Sequence, residues 1–247
     1  IATATACLLK GSADMSNGRD KEKESMKILV INGSPKGEKS DTLKITRAFL
    51  EGMGEGAEIV DTMNINVKPC LGCHSCWWKT PGRCVQKDDM ADILKRMVES
   101  DLVIWSTPLY CYGVPSNCKA LFDRMLPLAT PAQNLDENGR TCHSGREEIH
   151  AKVMLISGCG FPDRKNNFEA LEFQFKRIFG DDCPMILCVE APLLSITEAK
   201  PLADAYLALA KRAGEEYAST GRISETTQSA LDAPMYPPEQ YRARTRR

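Results

Sequence analysis

The chain has 247 residues and a formal net charge of −1, which suits one domain with tails and excludes attraction to nucleic acid or acidic lipid through overall charge. Its apolar runs are short, far below the roughly 18 residues that a membrane-spanning helix needs. We therefore expect a soluble protein that binds neither nucleic acid nor membrane.

The chain divides into a tail, a domain and an extension. Residues 1–25 show no apolar period, and their second half is strongly polar, so we predict a disordered or poorly ordered N-terminal tail. The domain is predicted over residues 26–224. Residues 225–247 contain proline and tyrosine and end in a basic run, which indicates a C-terminal extension that lies over the surface or a partner subunit.

The first unit of the domain is a buried strand, a turn and a helix. Residues 28–31 form a continuous apolar run, which is typical of a central parallel strand. Gly33 and Pro35 end it, and residues 40–42 supply N-cap chemistry for a helix that reaches Met53. Such a junction points free N–H groups and a positive helix end into one crevice, which favours a phosphate. An ordinary capped turn is the alternative.

Strand and helix patterns alternate along the rest of the domain. Further strands are predicted at residues 57–65, 101–108, 151–157 and 185–192. Helices are predicted from Asp88, from Ser116, at residues 168–179 and at about residues 201–220, and residues 129–148 are predicted to be a long loop. Five alternations predict an α/β fold with a doubly wound five-stranded parallel sheet and helices on both faces. A ligand would bind where loops 34–42, 108–113 and 158–161 follow the carboxyl ends of the strands.

Three ordered segments point to a known family. They are INGSPKGEKSDT, CLGCHSCWWKTPGRCVQKDDM and TPLYCYGVPSNCKALFDR. Over about residues 26–224 the chain resembles the flavodoxin-like NAD(P)H-dependent FMN reductases, and within them the iron-sulfur flavoproteins. This resemblance implies a flavodoxin-like fold, FMN as cofactor, NAD(P)H as electron donor and a homodimer or homotetramer.

The resemblance implies an FMN site made of three loops. The positions that match the phosphate loop are Ser34, Lys36, Ser40 and Thr42. Those that match the loop along the isoalloxazine ring are Pro108, Leu109, Tyr110, Tyr112 and Gly113, and those that match the loop at its other edge are Gly158, Cys159 and Gly160. The residue types agree, because a flat apolar ring needs an aromatic and aliphatic wall with backbone donors. For the two tyrosines, plain packing is the alternative.

A second candidate site is a group of four cysteines. Cys70, Cys73, Cys76 and Cys84 follow the spacing C-x2-C-x2-C-x7-C. Three close thiolates favour a 4Fe-4S cluster over structural zinc, which usually draws two separated pairs. Zinc, and a loop that packs near the flavin without metal, remain as alternatives. The chain has 11 cysteines, several of them in predicted core segments, which favours a reducing compartment and hence the cytoplasm.

The sequence therefore predicts an FMN-dependent NAD(P)H oxidoreductase. It would pass electrons from a nicotinamide through FMN to a small acceptor such as a quinone, a nitro or azo compound, or a flavin. No side chain is nominated as a catalytic acid or base, since the flavin carries the chemistry. One alternative is an iron-sulfur flavoprotein electron carrier that works with a ferredoxin-like protein. Another is a flavodoxin-like binding module without flavin.

Overall fold

The structure of the protein is a computed structural model that describes residues 25–146 and 150–245. The predicted N-terminal tail, apart from residue 25, lies outside the described residues. The strands are β1 (Ile28–Asn32), β2 (Glu58–Asp61), β3 (Leu102–Pro108), β4 (Ala129–Leu135), β5 (Thr141–Gly145), β6 (Lys152–Gly158) and β7 (Met185–Cys188). The helices are α1 (Asp41–Met53), α2 (Ser75–Trp78), α3 (Met90–Glu99), α4 (Ser116–Asp123), α5 (Glu169–Phe179), α6 (Lys200–Thr220), α7 (Glu225–Asp232) and α8 (Pro238–Thr245).

Five parallel strands form the main sheet in the order β2–β1–β3–β6–β7. Every residue of β1 is buried, as expected of a strand with neighbours on both sides and helices on both faces. The chain crosses from one side of β1 to the other between β2 and β3, so the strand order reverses there. This arrangement confirms the predicted flavodoxin-like doubly wound sheet and places a ligand crevice at the carboxyl ends of β1 and β3.

Helices cover both faces of the sheet. The buried apolar residues of α3, α4 and α5 pack on one face, and those of α1 and α6 pack on the other. Helices α1 and α6 approach closely through two glycines: a Cβ at Gly52 would lie 1.8 Å from the carbonyl oxygen of Lys211, and one at Gly214 would lie 1.9 Å from that of Phe49. Any larger residue at these two positions would push the helices apart.

The sequence prediction was wrong for residues 129–148. Within the described part of this segment, β4 and β5 form an antiparallel hairpin instead of a loop. Its turn is closed by hydrogen bonds from Arg140 N to Asp136 Oδ1 (2.8 Å) and from Gly139 N to Asp136 O (2.9 Å), with Gly139 at φ +71°. The strands are mostly half-exposed or exposed, so their residues show no apolar alternation that would reveal them.

Two further boundaries differ from the prediction. Strand β7 ends at Cys188, and the rest of the predicted strand turns into the 3-10 segment Ala191–Ser195. Beyond α6, helix α7 buries Leu231 completely against the face that α1 and α6 cover. Among the helices of residues 25–146 and 150–245, none is long and apolar enough to cross a bilayer.

Candidate functional site

The three loops that the sequence predicts to form the site lie at one edge of the sheet. They follow β1, β3 and β6, which are adjacent strands. Gly33 N donates to Ser106 O at 2.9 Å, and Leu109 N donates to Gly158 O at 2.9 Å. A Cβ at Gly158 would lie 3.6 Å from the hydroxyl oxygen of Thr42 and 2.8 Å from Cβ of Ala191. The structure therefore brings the first, second and third loops into contact.

The first loop presents hydroxyl groups at the start of α1. Ser34, Ser40 and Thr42 are all buried, and Ser40 Oγ accepts a hydrogen bond from Leu43 N at 3.2 Å, which confirms Ser40 as the N-cap. Ser34 Oγ accepts from Lys36 N at 3.3 Å. The N–H groups of Asp41 and Thr42 fall in the first turn of α1, where a helix provides no acceptor of its own. These donors converge at the positive end of the helix dipole, which suits an anion.

This turn also holds the carboxylate of Asp41, which the sequence analysis included in the N-cap segment but not in the FMN site. Asp41 is buried, and its Oδ2 accepts from Lys36 Nζ at 2.7 Å, while its Oδ1 accepts from the hydroxyl of Ser195 and lies 3.7 Å from Lys44 Nζ. Lys44 Nζ also donates to Leu194 O at 2.9 Å. The segment after β7 thus reaches the phosphate loop, although more than 150 residues separate Asp41 from Ser195. A phosphate bound here would share Lys36 with Asp41.

The second loop forms a strained aromatic turn. Tyr110 and Gly113 exchange two backbone hydrogen bonds of 2.9 Å, and the two residues between them, Cys111 and Tyr112, have φ values of +47° and +63°. Residues other than glycine rarely adopt this left-handed conformation, and such strain is frequent at functional sites. Tyr112 is 52% exposed, and its ring lies parallel to the ring of Phe161, 6.3 Å away with an interplanar angle of 5°. The two loops thus form one partly exposed aromatic wall.

The third loop is held by the segment after β7. Cys159 N donates to Cys188 O at 2.9 Å, and Ala191 N donates to Cys159 O at 2.8 Å. Burial raises the pKa of the Cys159 thiol to about 11. At neutral pH this thiol is therefore protonated and presents no thiolate to a ligand.

The donor set and the wall fit FMN. The phosphate end offers the N–H groups of the α1 first turn, with two lysines, Lys36 and Lys44, beside the carboxylate of Asp41. The other end offers half-exposed aromatic faces at Tyr110, Tyr112 and Phe161. An anion at one end and a flat apolar ring at the other is the composition that this edge can accommodate.

The four cysteines lie between β2 and α3 on residues 62–89, which we call the cysteine loop, and Cys76 is in the short helix α2 within it. Cys73 is exposed, Cys70 and Cys84 are half-buried, Cys76 is buried, and all four are free thiols. Burial and the nearby thiols of Cys84, Cys70 and Cys73 raise the pKa of Cys76, so the four groups lie within electrostatic range of one another. No three His, Cys, Asp or Glu side chains in residues 25–146 and 150–245 are already grouped to hold a metal ion. Four thiols on one loop nevertheless fit iron-sulfur ligation chemically.

A buried ion pair closes the base of this loop. Arg124 donates two hydrogen bonds to the Asp88 carboxylate, at 2.8 and 2.9 Å, and a third to Lys68 O at 2.8 Å. Asp88 Oδ2 also accepts from Lys68 N at 3.0 Å, and the carboxylate of Asp89 accepts from Asn66 N at 2.7 Å. Burial alone would lower the pKa of Arg124, but the Asp88 carboxylate and the neighbouring Cys84 thiol raise it.

The sequence analysis predicted a helix from Asp88, and in the structure Asp89 is the N-cap of α3. Asp88 Oδ1 does accept from Met90 N at 3.3 Å, but the Asp89 side chain makes no cap hydrogen bond. Both carboxylates instead join the end of the cysteine loop to its beginning, because Asp88 binds Lys68 N and Asp89 binds Asn66 N. Arg124 was missed because nothing in its sequence neighbourhood indicates that the end of α4 is buried.

The sequence model of the NADPH-dependent FMN reductases matches residues 26–165, more than half of the chain. The chain belongs to the NADPH-dependent FMN reductase family. Among curated relatives of this family member, an iron-sulfur flavoprotein of Methanocaldococcus jannaschii is 38% identical over 105 residues, which are 42% of this chain and 53% of the relative. The chain thus spans about half the length of the curated relatives it matches first.

Solved structures agree with the fold of this FMN reductase family member. The NAD(P)H:quinone oxidoreductase of Methanothermobacter marburgensis superposes with a TM-score of 0.58 and 17% identity, over 78% of this chain and 96% of that one. The FMN-dependent NADH-azoreductase of Bacillus anthracis, solved with FMN, superposes with a TM-score of 0.54 and 19% identity, over 80% and 99%. At these identities the likeness establishes the architecture.

Proposed function

We propose that this chain is an FMN-dependent NAD(P)H oxidoreductase that passes electrons from a nicotinamide through FMN to a small acceptor. The observation that carries the proposal is the meeting of three loops at one edge of the sheet, with anion donors at one end and an aromatic wall at the other. Membership of the NADPH-dependent FMN reductase family supports both FMN and NAD(P)H.

In this proposal the protein binds and orients, and bound FMN supplies the redox chemistry. Ser34, Lys36, Ser40 and Thr42, with the free N–H groups of α1, would hold the phosphate. The second loop, from Pro108 to Gly113, would lie along the ring, and Gly158, Cys159 and Gly160 would flank its other edge. Tyr112 and Phe161 would exclude water from one side of the ring, since their parallel faces are already aligned. The Cys159 thiol would stay protonated at neutral pH.

Titration of FMN fluorescence against the purified chain tests this proposal. We expect quenching that saturates at a single FMN per chain, and a variant Lys36→Met that binds about tenfold more weakly because a charge-assisted contact to the phosphate is lost. Lys39→Met is the matched control, because Lys39 is an exposed lysine of the same loop. Absence of quenching by the unmodified chain would instead support the flavin-free binding module.

The acceptor is proposed to be a quinone, a nitro or azo compound, or a free flavin. The names of two structural relatives, a quinone oxidoreductase and an azoreductase, favour the quinone and azo classes. Oxidation of NADH and NADPH should be followed separately with a quinone, a nitroaromatic compound, an azo dye and riboflavin. Parallel lines in double-reciprocal plots are expected, since donor and acceptor would use the same ring face in turn. If none of these acceptors supports the oxidation of NADH or NADPH, the reductase proposal is contradicted.

A second candidate function is that of an iron-sulfur flavoprotein electron carrier, which the name of the M. jannaschii relative favours. Cys70, Cys73, Cys76 and Cys84 would hold a 4Fe-4S cluster, and a ferredoxin-like protein would exchange single electrons with it. Anaerobic purification should then give a brown protein with about four iron and four sulfide per chain. Cys84→Ser should lose most of the iron, whereas Cys111→Ser, an exposed cysteine of the second loop, should keep it. A purified protein that contains flavin but no iron would contradict the electron-carrier function and leave the reductase as the proposed function.

Assembly and location complete the proposal. Half-exposed aromatic side chains at the site edge would be covered in a homodimer or homotetramer, which light scattering coupled to gel filtration measures directly. Nine cysteines in the described part of the chain are free thiols, and five of them are buried. Buried free thiols favour a reducing compartment, and hence the cytoplasm.

A further inference from the structure

The residues beyond α7 contact the segments that follow β6 and β7, beside the third loop of the candidate flavin site. We call residues 233–245 the C-terminal strap. Tyr241 of the strap is buried and packs with Leu193 and Ala199 in a small apolar cluster of its own. Arg242 Nη1 donates to Asp163 Oδ2 at 2.6 Å, which joins the strap to the residues just after the third loop. The strap therefore contacts both the segment after β7 and the segment after β6.

A fully buried carboxyl group lies beneath the strap. Glu190 is 0% exposed, and its Oε2 accepts from Tyr236 N of the strap at 2.8 Å. Its Oε1 has no hydrogen-bond partner within the described ranges. The backbone of Glu190 is left-handed, with φ +55°, so its surroundings must hold it against a conformational cost. Nothing in the phosphate or ring contacts proposed above uses this side chain.

A continuous set of contacts runs from the strap to the aromatic wall. Glu190 N donates to Phe161 O at 2.8 Å, and the next residue, Ala191, donates to Cys159 O at 2.8 Å. Phe161 in turn stacks on Tyr112. Glu190 thus binds the strap through its side chain and the third loop through its backbone.

We propose that the C-terminal strap positions the third loop of the flavin site and that Glu190 is the positioning residue that joins them. The inference rests on the proposed FMN function, because it concerns the affinity of that site. The third loop has glycine at 158 and 160, so without the strap it would lose more conformational freedom on binding a ring. A loop that is ordered in advance binds its ligand more tightly, because the entropic cost is not charged to binding.

The protonation of Glu190 gives this arrangement a pH dependence. The titratable groups within electrostatic range of its carboxyl are Cys159 of the third loop, Asp163 just after that loop, Cys188 of β7 and Tyr241 of the strap. Burial and the charge of Asp163 raise the pKa of Glu190, although backbone hydrogen bonds from the strap oppose the rise. Because the folded-state pKa is raised, the contribution of Glu190 is complete at low pH and is lost as pH rises through that pKa. The stability of the folded chain, which includes the docked strap, should therefore decrease as pH rises through that pKa.

Three variants test the proposal: Glu190→Gln and Glu190→Ala in the full-length chain, and a shortened chain that ends after Ala233. The alanine variant and the shortened chain should bind FMN about tenfold more weakly, since an ordered loop becomes mobile. The glutamine variant keeps the acceptor for Tyr236 N, so it should match the unmodified chain at low pH and bind FMN more tightly than that chain as pH rises, because only the glutamate ionises. Comparison at equal pH cancels the ionisation of FMN itself.

Two exposed ion pairs supply a further test and its matched control. Asp163→Asn breaks the contact with Arg242 and should weaken FMN binding, whereas Asp204→Asn breaks the Lys200 pair on α6, far along the chain from the loop, and should not. Hydrogen exchange in flavin-free protein supplies the second readout: residues 158–164 should exchange faster in the alanine variant and the shortened chain. If the shortened chain binds FMN within about twofold of the unmodified chain and its loop exchanges no faster, the proposal is overturned.

Exchange also separates this proposal from the one on which it rests. If the unmodified chain binds no FMN, the flavin function is refuted. Faster exchange of the third loop in the alanine variant and the shortened chain would still support positioning by the strap. Should Glu190→Ala fail to fold, the shortened chain and Asp163→Asn decide the question, because neither empties a buried position beneath the strap.

Discussion

Replacing Asp88 by asparagine is expected to destabilise the fold by about 3–5 kcal/mol, because the buried Arg124 guanidinium would lose its only carboxylate partner in the described ranges. The side chain of Asp88 is 0% exposed and that of Arg124 is 1% exposed, so water cannot replace the lost partner. An asparagine NH2 group would also face the guanidinium, which has only donors. The magnitude is that of a broken buried pair, far above the 0–1 kcal/mol of a surface pair.

Urea unfolding at neutral pH, followed by circular dichroism, measures the change. Asp204→Asn, which breaks the exposed Lys200 pair, is the control and should cost less than about 0.5 kcal/mol. Removing both charges in Asp88→Leu/Arg124→Met should cost clearly less than the sum of the single changes, since no charge is left buried alone. A loss below about 1 kcal/mol in Asp88→Asn would refute the view that this pair closes the cysteine loop.

The same pair predicts an acid response. Burial on its own would raise the pKa of Asp88, but hydrogen bonds from Arg124 and from Lys68 N outweigh burial and lower it. A depressed folded-state pKa gives stability that is complete above the unfolded value of about 4 and is lost as pH falls through the folded value. The stability gap between the unmodified chain and Asp88→Asn should therefore narrow in acid.

Three further substitutions have defined outcomes. Gly33→Ala should cost about 1–3 kcal/mol in urea unfolding, since its Cβ would lie 2.1 Å from Cys118 Sγ, and adding Cys118→Ala should recover part of the loss; no recovery would refute the clash. Cys111→Gly should raise stability by roughly 1 kcal/mol because φ is +47° there, and Cys111→Ala should not. Asp41→Asn should tighten FMN binding about threefold or more in fluorescence titration, because a carboxylate leaves the Lys36 side of the phosphate turn; weaker binding would contradict that placement of the phosphate.

The sequence predicts the sheet well because its signals are local. Residues 28–31 are apolar on every position, and Ser40 carries the oxygen that caps α1, so strand and helix follow from neighbours in the chain. Alternation with right-handed crossovers then leaves few topologies, and the observed strand order is one of them. The same reasoning predicts from the sequence alone that the three loops lie at one edge of the sheet.

The parts that the sequence did not predict depend on distant contacts. The β4–β5 hairpin has one local signal, Asn138–Gly139 at its turn, but half-exposed strands hide the rest. The hairpin also packs against the cysteine loop through a distant contact: the ring of Trp77 lies 4.9 Å from that of His143. Nothing near Glu190 in sequence indicates that its carboxyl is buried under a strap 46 residues later. The roles of the predicted site residues remain predictions that the titrations above decide.

Helix α4 links the two candidate sites. At its start, Asn117 Nδ2 donates to Thr62 Oγ1 at 2.7 Å and to Gly33 O at 3.3 Å, so it holds the turn that opens the phosphate loop. At its end, Arg124 closes the base of the cysteine loop. The two residues are about 10 Å apart along the axis, two turns of one helix, so they lie on the same side of it. A shift of α4 must therefore move both loops together, and a change that loosens Arg124 should also disturb the phosphate turn, which FMN titration of Asp88→Asn would detect.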